Sequence, residues 1–241
     1  MRQDPVERTL PRFLERAAAA WGDKPLVRFP ETVVTYRDLA ERAALFAGAL
    51  QRVGVAPKDT VLIIASNRWE YLEAWWGICL LGAIEVPVNF GLRGKLLAHV
   101  LRDCQARVAI IEAAYLSEVE AVLEDVPSLE TIILIGEPPR TVKGRQVLGF
   151  DTLPRGRPEL PPVRHGDVAA IMYTSGSTGP AKGAMLSHNF FLRFGEEKAK
   201  HVRSGSDDVI YNCYPLFNLS GQTEAVVTAM CAGASVSRSR A

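Results

Sequence analysis

A chain of 241 residues with 48% hydrophobic content is long enough to bury one large core or two smaller ones, which excludes global disorder. Its 28 lysines and arginines nearly cancel 27 aspartates and glutamates, so no basic field points to a nucleic acid or an anionic membrane as partner. The N-terminus is charged throughout, unlike a secretory leader, and the longest apolar run, residues 74–84, stops at Glu85, short of the roughly 20 residues that a membrane span needs. Cys79, Cys104, Cys213 and Cys231 are scattered, and neither they nor the four histidines form a metal-ligand pair. The expectation is a cytoplasmic protein with no membrane span, no nucleic-acid partner and no metal held by its own side chains.

Taken in chain order, "TYRDLAERAALFAGALQRVGV" carries apolar residues at helical spacing, with Thr35 and Asp38 placed as a capping box and Gly54 near the stop. "TVLIIAS" follows as a short β-branched run of the kind that fills a sheet covered on both faces. The pattern then alternates: helix over 68–81, extended "AIEVPVN", helix over 93–104, extended "RVAIIE", helix over 115–123, and extended "TIILIG". Strands alternating with helices predict an α/β fold, doubly wound sheets with flanking helices. Trp69, Trp75 and Trp76 on the first of these helices read as core.

Residues 136–166 are rich in proline and basic side chains, which predicts a solvated surface connection between a first unit, residues 1–165, and a second, residues 166–241. "DVAAIMYTS" is the next strand. Ser187 is placed to cap a helix running to Arg203, with Glu196 and Lys200 four apart on one face and His188 at its exposed start. "DDVIYNCYPLF" is a further strand candidate, and 223–231 a further helix.

Between strand and helix lies "IMYTSGSTGPAKGAML". Gly176, Gly179 and Gly183 let a ligand approach the backbone closely. Thr174, Ser175, Ser177 and Thr178 supply hydroxyl donors, and Lys182 a mobile positive charge. Backbone N–H groups in such a turn form an anion-binding concavity, so a polyphosphate is the best-matched guest. A Walker loop fails on spacing, because Lys182 lies between Ala181 and Gly183, and no frame gives the nucleophile elbow Gly-x-Ser-x-Gly. A plain Ser/Gly linker is disfavoured by the strand before it and the helix after it.

"YTSGSTGPAKG" resembles, position by position, the phosphate-binding signature of the adenylate-forming superfamily, which includes acyl-CoA synthetases, peptide-synthetase adenylation domains and luciferases. "VVTYRDLAERAALFAGAL", "GAIEVPVN", "LSHNF" and "YPLFNLSGQ" are similar to further segments of that family, and the combination looks most like an acyl-CoA synthetase, near the crotonobetaine or carnitine CoA ligases. The resemblance implies an incomplete N-terminal domain of an adenylate-forming enzyme. It also implies two half-reactions, in which a small carboxylic acid attacks Mg-ATP to give an acyl-adenylate and coenzyme A then displaces AMP. ATP, Mg2+ and coenzyme A are thus the implied co-substrates and cofactor. By the same resemblance Thr174, Ser175, Gly176, Ser177, Thr178, Gly179 and Lys182 would hold the phosphates, and Phe217, Asn218 and Gly221 would border the acid.

This chain departs from the family at Asn218, where a histidine is common, and at "GASVSRSRA", where serines and arginines replace an expected apolar strand. The later adenine- and magnesium-binding segments, the hinge and the C-terminal lysine have no counterpart before Ala241, so the sequence reads as an N-terminal fragment. No catalytic side chain and no oligomeric state are assigned. Two other readings stay open, a non-catalytic ATP- or partner-binding remnant and an adenylation domain that loads a carrier protein.

Overall fold

The computed structural model describes residues 8–30, 32–174 and 180–238. Helix α1 (Leu10–Trp21) leads into β1 (Pro25–Arg28), β2 (Val33–Thr35), α2 (Tyr36–Arg52), β3 (Thr60–Ile64), α3 (Trp69–Leu80) and β4 (Ile84–Pro87). There follow α4 (Gly94–Asp103), β5 (Val108–Glu112), α5 (Leu116–Glu120), β6 (Thr131–Ile135), β7 (Gln146–Gly149), β8 (Val168–Thr174) and β9 (Lys182–Ser187). The chain continues through α6 (His188–His201), β10 (Val209–Asn212), a π-helical stretch Gly221–Val227 that runs into α7 (Thr228–Ala232), and β11 (Ser235–Arg238).

Seven strands form one sheet in the order β7-β6-β5-β3-β4-β8-β9, parallel except for β9. Alternate residues of its inner strands feed opposite cores. Val61, Ile63, Ile110 and Ile133 face the helices α1, α2, α3 and α6, while Leu62, Ile64, Ile111 and Ile132 face α4 and α5. The apolar runs read in the sequence are therefore strands covered on both faces. A second sheet has the order β10-β11-β1-β2.

The expected helix starts are present. Thr35 Oγ1 accepts from Asp38 N and Asp38 Oδ2 from Thr35 N, both at 3.0 Å, and Ser187 Oγ accepts from Phe190 N at 3.2 Å. Trp75 and Trp76 are fully buried, as expected of core residues. The stretch expected helical over 115–123 is a short α5 between two 3-10 turns.

Several expectations change. Both sheets draw strands from either side of residue 165. The connection over 136–166 is not simply solvated: it contributes β7 at the sheet edge, Phe150 stacks on Phe46 at 4.6 Å, and Arg155 lies over both rings while pairing with buried Glu73. Gly48 permits this, since a Cβ there would stand 1.9 Å from Gly156 O. Glu196 turns to Arg8 and Lys200 to Glu197 instead of to each other.

His188, expected at an exposed helix start, is completely buried, and its Nδ1 accepts from Leu10 N, one of the free amides at the start of α1. Burial lowers its pKa to about 4, so the ring is neutral. "SVSR" forms β11 despite its polar residues, because Ser235 Oγ donates to Pro25 O at 2.6 Å and Val236 is buried between two neighbouring strands. The helix expected over 223–231 begins earlier and opens into a π turn. There Thr228 Oγ1 donates to Thr223 O at 2.8 Å, satisfying a carbonyl inside the widened turn.

Glu85 on β4 is fully buried between Tyr71 of α3 and Gln222 of the π stretch. Tyr71 Oη donates to Glu85 Oε1 at 3.0 Å, and Gln222 Nε2 to Glu85 Oε1 and Oε2 at 2.9 and 3.0 Å. Desolvation raises the Glu85 pKa to about 8, with the two hydrogen bonds opposing it. The folded chain thus holds a proton that the unfolded chain releases near pH 4.5, and Glu85 costs stability as pH rises from about 4.5 through about 8. Chemical denaturation of Glu85→Gln between pH 5 and 9 should show a flatter pH dependence than wild type. The gap in its favour should grow by roughly 2–4 kcal/mol toward pH 9.

Candidate functional site

The antiparallel pair β8–β9 ends with Thr174 opposite Lys182. Of the seven expected phosphate-holding residues these two are described, and Ser175, Gly176, Ser177, Thr178 and Gly179 lie outside the described residues. Thr174 and Lys182 are both exposed, and no ion pair engages Lys182 among the described residues. Gly183 faces Tyr173 across the pair, where a Cβ would stand 2.6 Å from Ile171 Cγ2 and 3.2 Å from Tyr173 Cζ, so the glycine lets the tyrosine ring lie across β9. Tyr173 Oη then reaches Asp103 Oδ2 at 2.6 Å, and His99 Nε2 donates to Ala181 O at 2.8 Å.

The parallel sheet fixes what else meets this hairpin. Glu85 of β4 pairs with Ala170 of β8, so the continuation of β4 to Phe90 and the end of β8 at Thr174 emerge at the same carboxyl edge. Phe90 stacks on Tyr115 at 4.9 Å and meets Phe217 edge-on at 5.1 Å, giving an aromatic wall. Phe217 is half-buried and Asn218 exposed, with Asn218 Oδ1 accepting from Ser220 N at 3.3 Å. Gly221 is buried, and a Cβ there would stand 2.2 Å from Pro215 O, so its place is explained by close backbone approach.

Asn67, in the loop after β3, holds the Tyr214–Phe217 segment in place. Its Nδ2 donates to Tyr214 O at 2.8 Å and its Oδ1 accepts from Leu216 N. Beside it, where the chain winds from β3 toward one side of the sheet and from β5 toward the other, Arg68 bridges Glu70 at 2.6 Å and Glu112 at 3.1 Å. Glu112 Oε2 also accepts from Ser66 N at 2.7 Å. This is the crevice where open α/β sheets place ligands, and here its floor is a closed ion-pair network.

Sequence reasoning singled out neither Asn67, Phe90 and Tyr115 nor His99 and Asp103. The usable signal was position: Asn67, Phe90 and Tyr115 follow the carboxyl ends of parallel strands, where such folds collect functional side chains. His99 and Asp103 gave no signal, because their partners are 82 and 70 residues away.

Among the described residues no group of three or more His, Cys, Asp or Glu could hold a metal ion, and no helix is long and apolar enough to cross a membrane. An open concavity of about 710 Å3 between Phe190, Phe194, Lys198 and His201 is walled by α6 alone and gathers no group from the carboxyl edge. The arrangement at that edge is a cation and a hydroxyl at a hairpin mouth beside an apolar aromatic wall, which suits a ligand with an anionic part and a carbon skeleton.

The sequence profile of the AMP-binding enzyme family matches residues 14–240. The chain is 30% identical over 230 residues to the indoleacetate–CoA ligase of Aromatoleum aromaticum, covering 94% of this chain and 44% of that protein. It is 30% identical over 236 residues to the medium/long-chain-fatty-acid–CoA ligase of Mycobacterium tuberculosis, covering 93% of this chain and 36% of that one. An anthranilate CoA ligase solved with anthranoyl-AMP has the same fold, with a TM-score of 0.88 at 27% identity over 95% of this chain and 44% of that chain. The chain thus spans less than half the length of these relatives. By this match over most of its length and by its doubly wound sheet, the chain belongs to the adenylate-forming AMP-binding enzymes, and the three relatives named here are CoA ligases.

Proposed function

We propose that this chain supplies the phosphate-holding hairpin and part of the acid-facing wall of an ATP-dependent carboxylate–CoA ligase, which forms an acyl-adenylate and then an acyl-CoA. The observation that carries this reading is the pairing of exposed Thr174 with exposed Lys182, which has no ion-pair partner among the described residues, at the carboxyl edge, flanking Ser175, Gly176, Ser177, Thr178 and Gly179 in the sequence. That donor set fits a triphosphate: hydroxyls and a lysine can offset the repulsion between two anions, the acid and the nucleotide, and stabilise the charge that develops on the departing pyrophosphate.

Mg2+ would arrive with the triphosphate, to which it supplies charge neutralisation. No protein ligands are assigned to it. Coenzyme A is the proposed acceptor, on the strength of the relatives' names. The wall of Phe90, Tyr115 and Phe217 supports an acid with an aromatic or otherwise apolar body. Four unpaired cysteines, two of them buried, support a reducing, cytoplasmic setting.

Carboxylate-dependent ATP–pyrophosphate exchange on the 241-residue chain, with a panel of aryl and aliphatic acids, tests the reading. Lys182→Ala should lower exchange roughly 100-fold, the usual loss when one charge-stabilising donor is removed. Exchange insensitive to Lys182→Ala overturns the hairpin's role, and absence of exchange with ATP binding intact supports the binding-only alternative.

Asn67→Ala should act differently. Losing the two bonds that hold the Tyr214–Phe217 segment should raise KM for the acid about five- to tenfold, while KM for ATP moves less than about twofold. Equal effects on both constants would contradict the division of the edge into a phosphate side and an acid side.

A further inference from the structure

We propose that His99 and Asp103 of α4 are positioning residues that tether both shoulders of the β8–β9 hairpin, and so set Thr174 and Lys182 in place for a nucleoside triphosphate; this deepens, and rests on, the phosphate reading of that hairpin. The two side chains lie four residues apart, hence on one face of α4, and each takes one strand. His99 holds Ala181, the residue before Lys182, and Asp103 holds Tyr173, the residue before Thr174. A carbonyl oxygen only accepts, so His99 is fixed with its proton on Nε2.

The tether has a physical reason. Among the described residues β9 is the last strand of its sheet, paired on one side only, and Lys182, Gly183, Ala184 and Met185 are exposed. Backbone pairing to β8 alone would leave the outer strand poorly anchored at the end that carries the lysine. α4 is a firm support, because Leu97, Val100 and Leu101 are buried in the core on that face of the sheet. The 2.6 Å bond from Tyr173 has the length of a charge-assisted O–H···O contact, and it forms only because Gly183 leaves room for the ring.

A side chain that merely stabilised the edge would lower stability without changing nucleotide affinity, and the test separates the two. Mg-ATP affinity by calorimetry, thermal midpoint, and amide hydrogen exchange across β8–β9 are compared for wild type, His99→Ala, His99→Gln and Asp103→Ala. His99→Ala and Asp103→Ala should each weaken Mg-ATP binding about tenfold and speed amide exchange in the hairpin, with the midpoint little changed. His99→Gln, which keeps a donor for Ala181 O, should recover most of the lost affinity. Wild-type affinity in both alanine variants, or a fallen midpoint with no rescue by glutamine, overturns the proposal. Should the wild-type chain bind no Mg-ATP, the phosphate reading fails, and hairpin exchange still decides the tether: faster in His99→Ala supports it, unchanged overturns it.

Discussion

The structure depends on one constraint, that the central strands are parallel and buried on both faces. Parallel pairing sends every connection over a face of the sheet and brings the strand ends that carry loops to one edge. In this chain alternation along β3, β5 and β6 divides the side chains between two cores, so a one-residue slip would exchange the contents of both. Register is thereby fixed, and with it the edge at which Asn67, Phe90, Glu112 and Thr174 emerge from four different strands.

Polar groups tie that edge to the helices. Glu85, Tyr71 and Gln222 join β4, α3 and the π stretch inside the core, and the π stretch directly follows the segment that carries Phe217. Asn67 fastens the same segment from the β3 loop. The aromatic wall is thus held from beneath by a buried hydrogen-bonded network and from the side by an asparagine. The hairpin at the other end of the site leans on α4. Side-chain hydrogen bonds thus tie both sides of the edge to neighbouring elements, as the proposed function of holding two repelling anions at a fixed separation would require.

Much of this was legible in the sequence, and the reasons differ by residue. The capping box at Thr35, the buried tryptophans and the alternating elements follow from local spacing, which the chain states directly. The segment from Thr174 to Lys182 stood out because it gathers glycines, hydroxyls and a lysine in one short run, and its phosphate-holding role is the reading proposed above. His188 was misread because its partner, the amide of Leu10, is 178 residues away and no local pattern announces it. Arg155 read as a solvated charge for the same reason, since its carboxylate partner, Glu73, and one of its two phenyl rings, Phe46, come from α3 and α2. β11 was obscured by its serines, whose hydroxyl partner, Pro25 O, exists only once the second sheet has formed. Local chemistry reads from the chain, and long-range satisfaction of polar groups does not.

The most direct measurement is a crystal structure of this chain with Mg2+ and a non-hydrolysable ATP analogue. The triphosphate should lie at the mouth of β8–β9, within hydrogen-bonding reach of Thr174 and Lys182 and on the same edge as Phe90 and Phe217. A triphosphate bound at the opposite, amino edge, such as the cleft of about 250 Å3 lined by Lys58, Asp59 and Arg107, would contradict the assignment of the hairpin as the nucleotide site.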